Sequence, residues 1–166
     1  MRDVMELSGE TVNLVVFDNF EAVYVDQVAN PQSMLRMFTQ VGARVPLYCS
    51  GAGKAYLAAQ PEQDVLDYFR QADKKRHTSQ TILDEAILLA ELGKVRQRGY
   101  ATDNEEMEYG VRCVAVLIRQ CRGHPAGALS ISGPSSRLTL ERIPALGPQL
   151  RRVAEDIGQQ LGFAKT

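Results

Sequence analysis

The sequence predicts an α+β domain built on an antiparallel sheet. Three observations lead there. Strand-like and helix-like stretches are interleaved irregularly instead of in a regular strand–helix alternation. Several neighbouring strand-like stretches are joined by short turns of the hairpin kind. No Gly-, Ser- or Pro-rich linker divides the 166 residues, so one domain is expected over 1–166, with 45% hydrophobic residues to fill one core.

Residues 1–7 have helical composition and are stopped by Ser8 and Gly9. From Thr11 the pattern alternates, with Val12, Leu14 and Val16 on one face and Asn13, Val15 and Phe17 on the other. Asp18 and Asn19 make a turn, and residues 22–28 read as the partner strand of a hairpin. Asn30-Pro31 breaks the pattern, and residues 34–40 read as a further strand ended by Gly42. After Ser50-Gly51-Ala52-Gly53, residues 54–59 have helical composition, closed by Pro61. Pro61 also fits the start of a helix over 62–71 with Val65, Leu66 and Phe69 inward. The basic cluster Lys74-Lys75-Arg76-His77 reads as a solvated loop.

Residues 83–98 form the clearest helix of the middle. Leu88, Leu92 and Val95 share a face, acidic residues open it, basic residues close it, and Gly99 stops it. The last helix places Leu150, Val153, Ala154, Ile157 and Leu161 on one face, with Pro148 near its start and Gly162 at its end.

The segment between Gly99 and Thr139 carries the most chemistry. It reads as strand, acidic loop (Asp103-Asn104-Glu105-Glu106), then two strands closed by a short turn. Val111, Cys113, Ala115 and Leu117 share one face of the first of these two strands; Ala126, Ala128, Ser130 and Ser132 share one face of the second. A turn centred between Arg122 and Gly123 sets residue 113 opposite 132 and 115 opposite 130, so the thiol and both hydroxyls meet. Small neighbours leave room for a ligand of a few heavy atoms, and the hydroxyls can donate to a carboxylate or carbonyl. The residues alone fit better a tolerant, edge-like strand carrying two serines beside a small buried thiol. Ser50 heading a small-residue run is a helix N-cap whose exposed amides favour an anion, or an ordinary cap with glycines for tight packing.

Several function classes lack their signatures. With 19 Lys plus Arg against 20 Asp plus Glu, no global field favours nucleic acid or a membrane surface. There is no basic run, helix-turn-helix pattern, zinc-finger spacing, GxSxG elbow or P-loop. The cysteines, Cys49, Cys113 and Cys121, make no CxxC pair, and a reduced, cytoplasmic setting is expected.

The stretches SGETVNLVVFDNFEAVYVDQV, RMFTQVGARVPLYCSGAGKAYLA, GYATDNEEMEYGVRC and ALSISGPSSRLT resemble, in order and spacing, successive landmarks of the effector-binding domain of the IclR family of bacterial transcription regulators. The wording is most similar to members that respond to glyoxylate and pyruvate, including regulators of the glyoxylate bypass and of allantoin use. The resemblance implies a GAF- or profilin-like fold with a roughly six-stranded antiparallel sheet flanked by helices. It implies a sensor of a small carboxylate or α-keto acid, not an enzyme, with no cofactor and no metal. The ligand-binding residues would be Gly51 and Ala52 through their amides, with Asp103, Cys113, Ser130 and Ser132. Met34, Met37, Val45 and Val111 would form the apolar wall.

It also implies a homodimer or homotetramer that reaches DNA only through an N-terminal winged helix-turn-helix absent from this chain, which is expected to be an excised domain. Two departures touch the pocket. Tyr48 and Cys49 stand where many relatives carry His and a small residue such as Ala. Val45 and Val111 stand where glyoxylate-binding relatives carry Leu, a change that enlarges the pocket slightly toward a bigger acid. Two alternatives remain: a metal sensor using Asp103, Cys49 and Cys113, and a small enzyme with Cys113 or Cys49 as nucleophile.

Overall fold

A computed structural model of the chain describes residues 1–30, 39–120 and 123–162. Their elements run α1 (Arg2–Ser8), β1 (Thr11–Asp18), β2 (Glu21–Val28), β3 (Arg44–Pro46), α2 (Gly51–Leu57), α3 (Glu62–Gln71), α4 (Glu85–Arg98), β4 (Ala101–Asn104), β5 (Val111–Arg119), β6 (Pro125–Pro134) and α5 (Ile143–Gln160). The six strands form one sheet in the order β3-β2-β1-β6-β5-β4, antiparallel at every pairing. The α+β class and the six-stranded antiparallel sheet expected from the sequence are both found.

Strand alternation splits the sheet into two unlike faces. One carries Val12, Val114, Val116, Ile118, Leu129 and Ile131, which α5 and α1 cover with Leu146, Leu150, Ala154 and Val4. The other carries Val15, Ala22, Tyr24, Ala101, Cys113, Ala115 and Ala128, and packs against Leu57 of α2, Val65, Tyr68 and Phe69 of α3, and Leu88, Leu92 and Val95 of α4. The inward faces read from sequence for α4 and, in large part, α3 are those buried, and the two faces read for β1 are covered on both sides of the sheet; on α3, Tyr68 lies inside while Leu66 is only partly covered. Asp84 caps α4 by accepting from the Ile87 amide at 2.9 Å, and Gly99 ends it in the left-handed conformation.

Two expectations need adjustment, and one strand, β3, was not anticipated. The strand β3 has three residues and no readable alternation. Helix α5 begins at Ile143, so Pro148 lies within its second turn, where it removes one helical N–H bond; Leu161 falls past the helix end and is exposed. Of the strand expected over 34–40, residues 34–38 lie outside the described residues, and Thr39 and Gln40 are not strand.

One irregularity matters for the site. The β1–β2 ladder shifts between Leu14, opposite Asp26, and Val15, opposite Tyr24, leaving Val25 as an extra residue. This bulge turns both Tyr24 and Gln27 toward the face that packs on α2. An unbroken β2 would point them to opposite sides.

Candidate functional site

Two rows of cross-strand neighbours form the floor. Asp103, Cys113, Ser132 and Thr11 follow one another across β4, β5, β6 and β1; Ala101, Ala115, Ser130, Asn13 and Gln27 make the next row and extend it to β2. The register of 113 with 132 and 115 with 130 is the one expected from the alternation. The centre of the expected turn involves Arg122, which lies outside the described residues.

The start of α2 sits directly on this floor. A Cβ at Gly51 would stand 2.8 Å from Cys113 Sγ and 3.4 Å from the Ala115 Cβ, so only glycine lets the backbone approach the thiol so closely. Gly53 meets the Leu47 backbone in the same way, at 2.3 Å from its Cα. Ser50 caps the helix: its hydroxyl donates to the Pro46 carbonyl at 2.7 Å and accepts from the Gly53 amide at 3.2 Å. The first-turn amides of Gly51 and Ala52 precede any intrahelical acceptor.

Between floor and helix lies a cavity of about 90 Å³, lined by Tyr24, Thr39, Val45, Ser50, Gly51, Asp103, Met107, Glu108, Val111, Cys113 and Ser132. At roughly 10–15 Å³ for each water-sized group, this is room for a ligand of a handful of heavy atoms. Of the sequence candidates, Gly51, Asp103, Cys113, Ser132, Val45 and Val111 line it. Ser130 lies one row back, buried beside Ala115, and Ala52 is buried one residue into α2; neither lines the cavity. Met34 and Met37 lie outside the described residues.

Burial governs the electrostatics. Asp103 is pushed up to about 7, first by desolvation and then by the nearby Glu106 carboxylate. Its Oδ1 accepts from the Glu106 amide at 2.7 Å, which holds the acidic loop over the cavity. Near neutral pH this carboxyl can therefore either donate or accept. Cys113 and Cys49 are both pushed up to about 12, chiefly by burial and next by Asp103, so they are neutral thiols. Lys54, 1% exposed, ion-pairs with Glu106, whose Oε2 has no hydrogen-bond partner. Burial raises Glu106 and Lys54 opposes the rise. The loop is further tied to the α3–α4 connection, where Thr78 Oγ1 donates to the Glu105 carbonyl at 2.6 Å and Thr81 Oγ1 to that of Glu106 at 2.8 Å.

Sequence reasoning missed a polar ladder beneath the serines. Asn13 Nδ2 donates to Ser130 Oγ at 3.1 Å and to Ser132 Oγ at 3.2 Å. Its Oδ1 accepts from Gln27 Nε2 at 3.0 Å, and Gln27 Nε2 also donates to Thr39, to Oγ1 at 2.7 Å and to the carbonyl. The readable signal was an asparagine in mid-strand on the inward face. Tyr24, Thr39, Met107 and Glu108 also line the cavity without having been singled out.

Neither alternative chemistry gains ground. Among the described residues, Asp103, Cys49 and Cys113 form no group that could hold a metal ion. Neutral thiols are poor nucleophiles at physiological pH, and of the two only Cys113 lines the cavity.

Residues 1–159 match the family described as Bacterial transcriptional regulator IclR C-terminal. The chain belongs to this IclR family. It is 41% identical over 163 residues to the HTH-type transcriptional repressor AllR of Escherichia coli K12, a match covering 98% of this chain and 60% of that protein. The crystal structure of Thermotoga maritima IclR superposes with a TM-score of 0.91 at 41% identity, over 98% of this chain and 65% of that one. The inducer-binding domain of a PobR double mutant from Acinetobacter, in complex with 3-hydroxybenzoic acid, superposes with a TM-score of 0.85 at 28% identity, over 93% of this chain and 90% of that one. The chain thus spans less than two thirds of the AllR and Thermotoga IclR chains. The AllR match is named a transcriptional repressor and PobR a transcription factor, and neither name describes an enzyme.

Proposed function

We propose that this IclR C-terminal domain is an effector sensor that binds a small α-keto acid of the glyoxylate or pyruvate kind. The observation that carries this reading is the cavity that sets the Asp103 carboxyl, the Cys113 thiol and the Ser132 hydroxyl against the glycine-opened start of α2. The carboxylate of the ligand faces the Gly51 and Ala52 amides and the hydroxyls of Ser132 and, one row back, Ser130. Asp103 and Cys113 face the keto or gem-diol oxygens. Val45 and Val111 supply the apolar wall, together with Met34 and Met37.

The chemistry is self-consistent. Hydroxyl and amide donors suit an oxyanion. The buried Lys54–Glu106 pair is neutral overall, and Asp103 is half-protonated near pH 7, so neither sets a full negative charge against a monoanion; Glu108 is the other carboxyl of the lining. A carboxylic acid bound to the inducer-binding domain of PobR supports the ligand class. In the full regulator, binding biases the arrangement of subunits in a homodimer or homotetramer, and so the spacing of DNA-binding domains that contact the operator. The setting is cytoplasmic, where Cys49 and Cys113 stay reduced; no helix among the described residues is long and apolar enough to cross a membrane.

Calorimetric titration with glyoxylate, pyruvate and larger keto acids tests the reading. Saturable one-site binding of a keto acid, weakened by Ser132→Ala, supports it. Binding of an amino acid or a sugar in preference to every acid overturns it.

A further inference from the structure

Tyr24, Tyr48 and Tyr68 are all buried on the α2 side of the sheet, and two of them have anchored hydroxyls. That of Tyr48 donates to the Lys75 carbonyl at 2.9 Å, and that of Tyr68 accepts from the Leu47 and Tyr48 amides at 3.1 and 3.2 Å. Tyr24 differs. It lines the cavity from β2 and is 8% exposed, yet its hydroxyl has no hydrogen-bond partner among the described residues. Its hydrogen bonds belong to the backbone, among them those with the Ala43 carbonyl at 3.0 Å and the Gly42 amide at 2.7 Å. Among the described residues, Glu106 Oε2 is the one unpartnered side-chain polar atom sealed off entirely. The Tyr24 hydroxyl therefore opens onto space, which at this residue is the cavity. Burial, then Cys113 and Asp103, raise the phenol above its ordinary value, so it is a neutral hydroxyl that both donates and accepts.

In the acid site the α2 amides and the serines take the carboxylate, while Asp103 and Cys113 take the keto oxygen. Glyoxylate and pyruvate have no polar atom left over for Tyr24. A buried hydroxyl without a partner is destabilising, and phenylalanine would fill the same place without that cost. We infer that Tyr24 is a ligand-contacting, specificity-determining residue whose hydroxyl bonds an oxygen on the carbon beyond the keto group, so that the sensor's ligand class is the hydroxylated α-keto acids. This rests on the reading of the cavity as an acid site, and it names the far end of the ligand. The cavity of about 90 Å³ accommodates one heavy atom more than pyruvate has, at roughly 10–15 Å³ for each group. Because both hydroxyls donate and accept, the bond forms whichever of the two supplies the proton.

The probes are hydroxypyruvate and α-ketobutyrate, monoanions of nearly equal size that end in a hydroxyl and a methyl group. Charge and bulk are thus matched, and each ligand is compared with itself across two proteins, which removes differences in its hydration. Tyr24→Phe keeps the ring and deletes the hydroxyl. It is expected to weaken hydroxypyruvate about tenfold while α-ketobutyrate and pyruvate stay within about twofold of wild type, in calorimetric titration. Damage that is only structural weakens all three acids alike. Hydroxypyruvate losing no more than α-ketobutyrate overturns the inference, as does a ratio that narrows only because α-ketobutyrate gains. Wild type that binds pyruvate but not hydroxypyruvate also overturns it, and each of these results leaves the acid site standing. Since no bond within the protein is lost, Tyr24→Phe is expected to melt at or above the wild-type temperature. Melting well below it, or failure to fold, reveals an internal partner for the hydroxyl and overturns the inference. Absence of binding of all these acids and of glyoxylate by folded wild type overturns the acid site itself and this inference with it.

Discussion

The two faces of the sheet are made by the same strands and serve opposite ends. In β6, Leu129 and Ile131 point to the side covered by α5, while Ser130 and Ser132 point to the side facing α2. In β5, Val114 and Val116 alternate with Cys113 and Ala115 in the same way. One face is filled with branched apolar side chains packed under α5. The other is floored with alanine, serine and cysteine, and keeps room by being small. Period-two alternation lets one hairpin carry a stability surface and a recognition surface without either compromising the other.

The strongest way to break this contrast is to cut into the apolar face. Leu129→Ala or Ile131→Ala is expected to cost about 2–5 kcal/mol of unfolding free energy, read by denaturant titration, while surviving folded protein binds acid normally. Ser132→Ala does the reverse. It costs about 1 kcal/mol, since water in the cavity takes over the Asn13 donor, and weakens keto-acid binding about tenfold. Equal stability losses on the two faces, with no loss of binding from Ser132→Ala, refute the division of labour.

Gly51→Ala brings a Cβ to 2.8 Å from Cys113 Sγ, at the cavity edge. Binding is expected to fall more than thermal stability, because either the thiol swings into the ligand space or α2 lifts from the floor. Titration and melting of the same sample separate the two effects.

Asp103 sharpens the contrast through pH. Its folded-state pKa, about 7, lies above its ordinary value of 3.8, so the folded chain holds more protons than the unfolded chain between those values. For this group stability is greatest below about pH 4 and falls as pH rises toward 7, then stays level. Asp103→Asn keeps the acceptor for the Glu106 amide and removes that slope, so the variant gains stability relative to wild type above pH 7. An anion bound beside Asp103 raises it further, so binding takes up a proton above pH 7 and tightens as pH falls from 8 to 6. Calorimetry in two buffers of different ionisation enthalpy reads the proton directly; zero uptake at pH 8 contradicts the placement of the acid.

The smallest effect belongs to the wall. Val111→Leu adds one methylene to the cavity lining. It is expected to shift preference toward glyoxylate over pyruvate by about 1 kcal/mol, detectable as a ratio of dissociation constants.

Much of the floor was legible because strand alternation fixes which side chains share a face, and a hairpin turn fixes the register. Cys113, Ser130 and Ser132 came together for that reason, whereas Asp103, read as part of an acidic loop, lies in strand β4 opposite Cys113. Ser50 and its glycines were legible as a helix start, since capping has a local signature. What sequence could not supply came from elsewhere. Gln27 joins the site only through a bulge, which breaks the very periodicity used to read faces. Thr39, Met107 and Glu108 arrive on irregular segments held by tertiary bonds such as those from Thr78 and Thr81. The three-residue β3 is too short for alternation to register, and the start of α5 was misplaced because Pro148, a usual opening residue, here sits inside the helix.

The most direct test of the central claim is calorimetric titration of the folded 166-residue chain with glyoxylate and pyruvate, beside Ser132→Ala and Leu129→Ala. The account predicts saturable binding at one site per chain, weakened about tenfold by Ser132→Ala and unchanged by Leu129→Ala at a temperature where both remain folded. Heats of dilution alone from wild-type protein that unfolds cooperatively would contradict it.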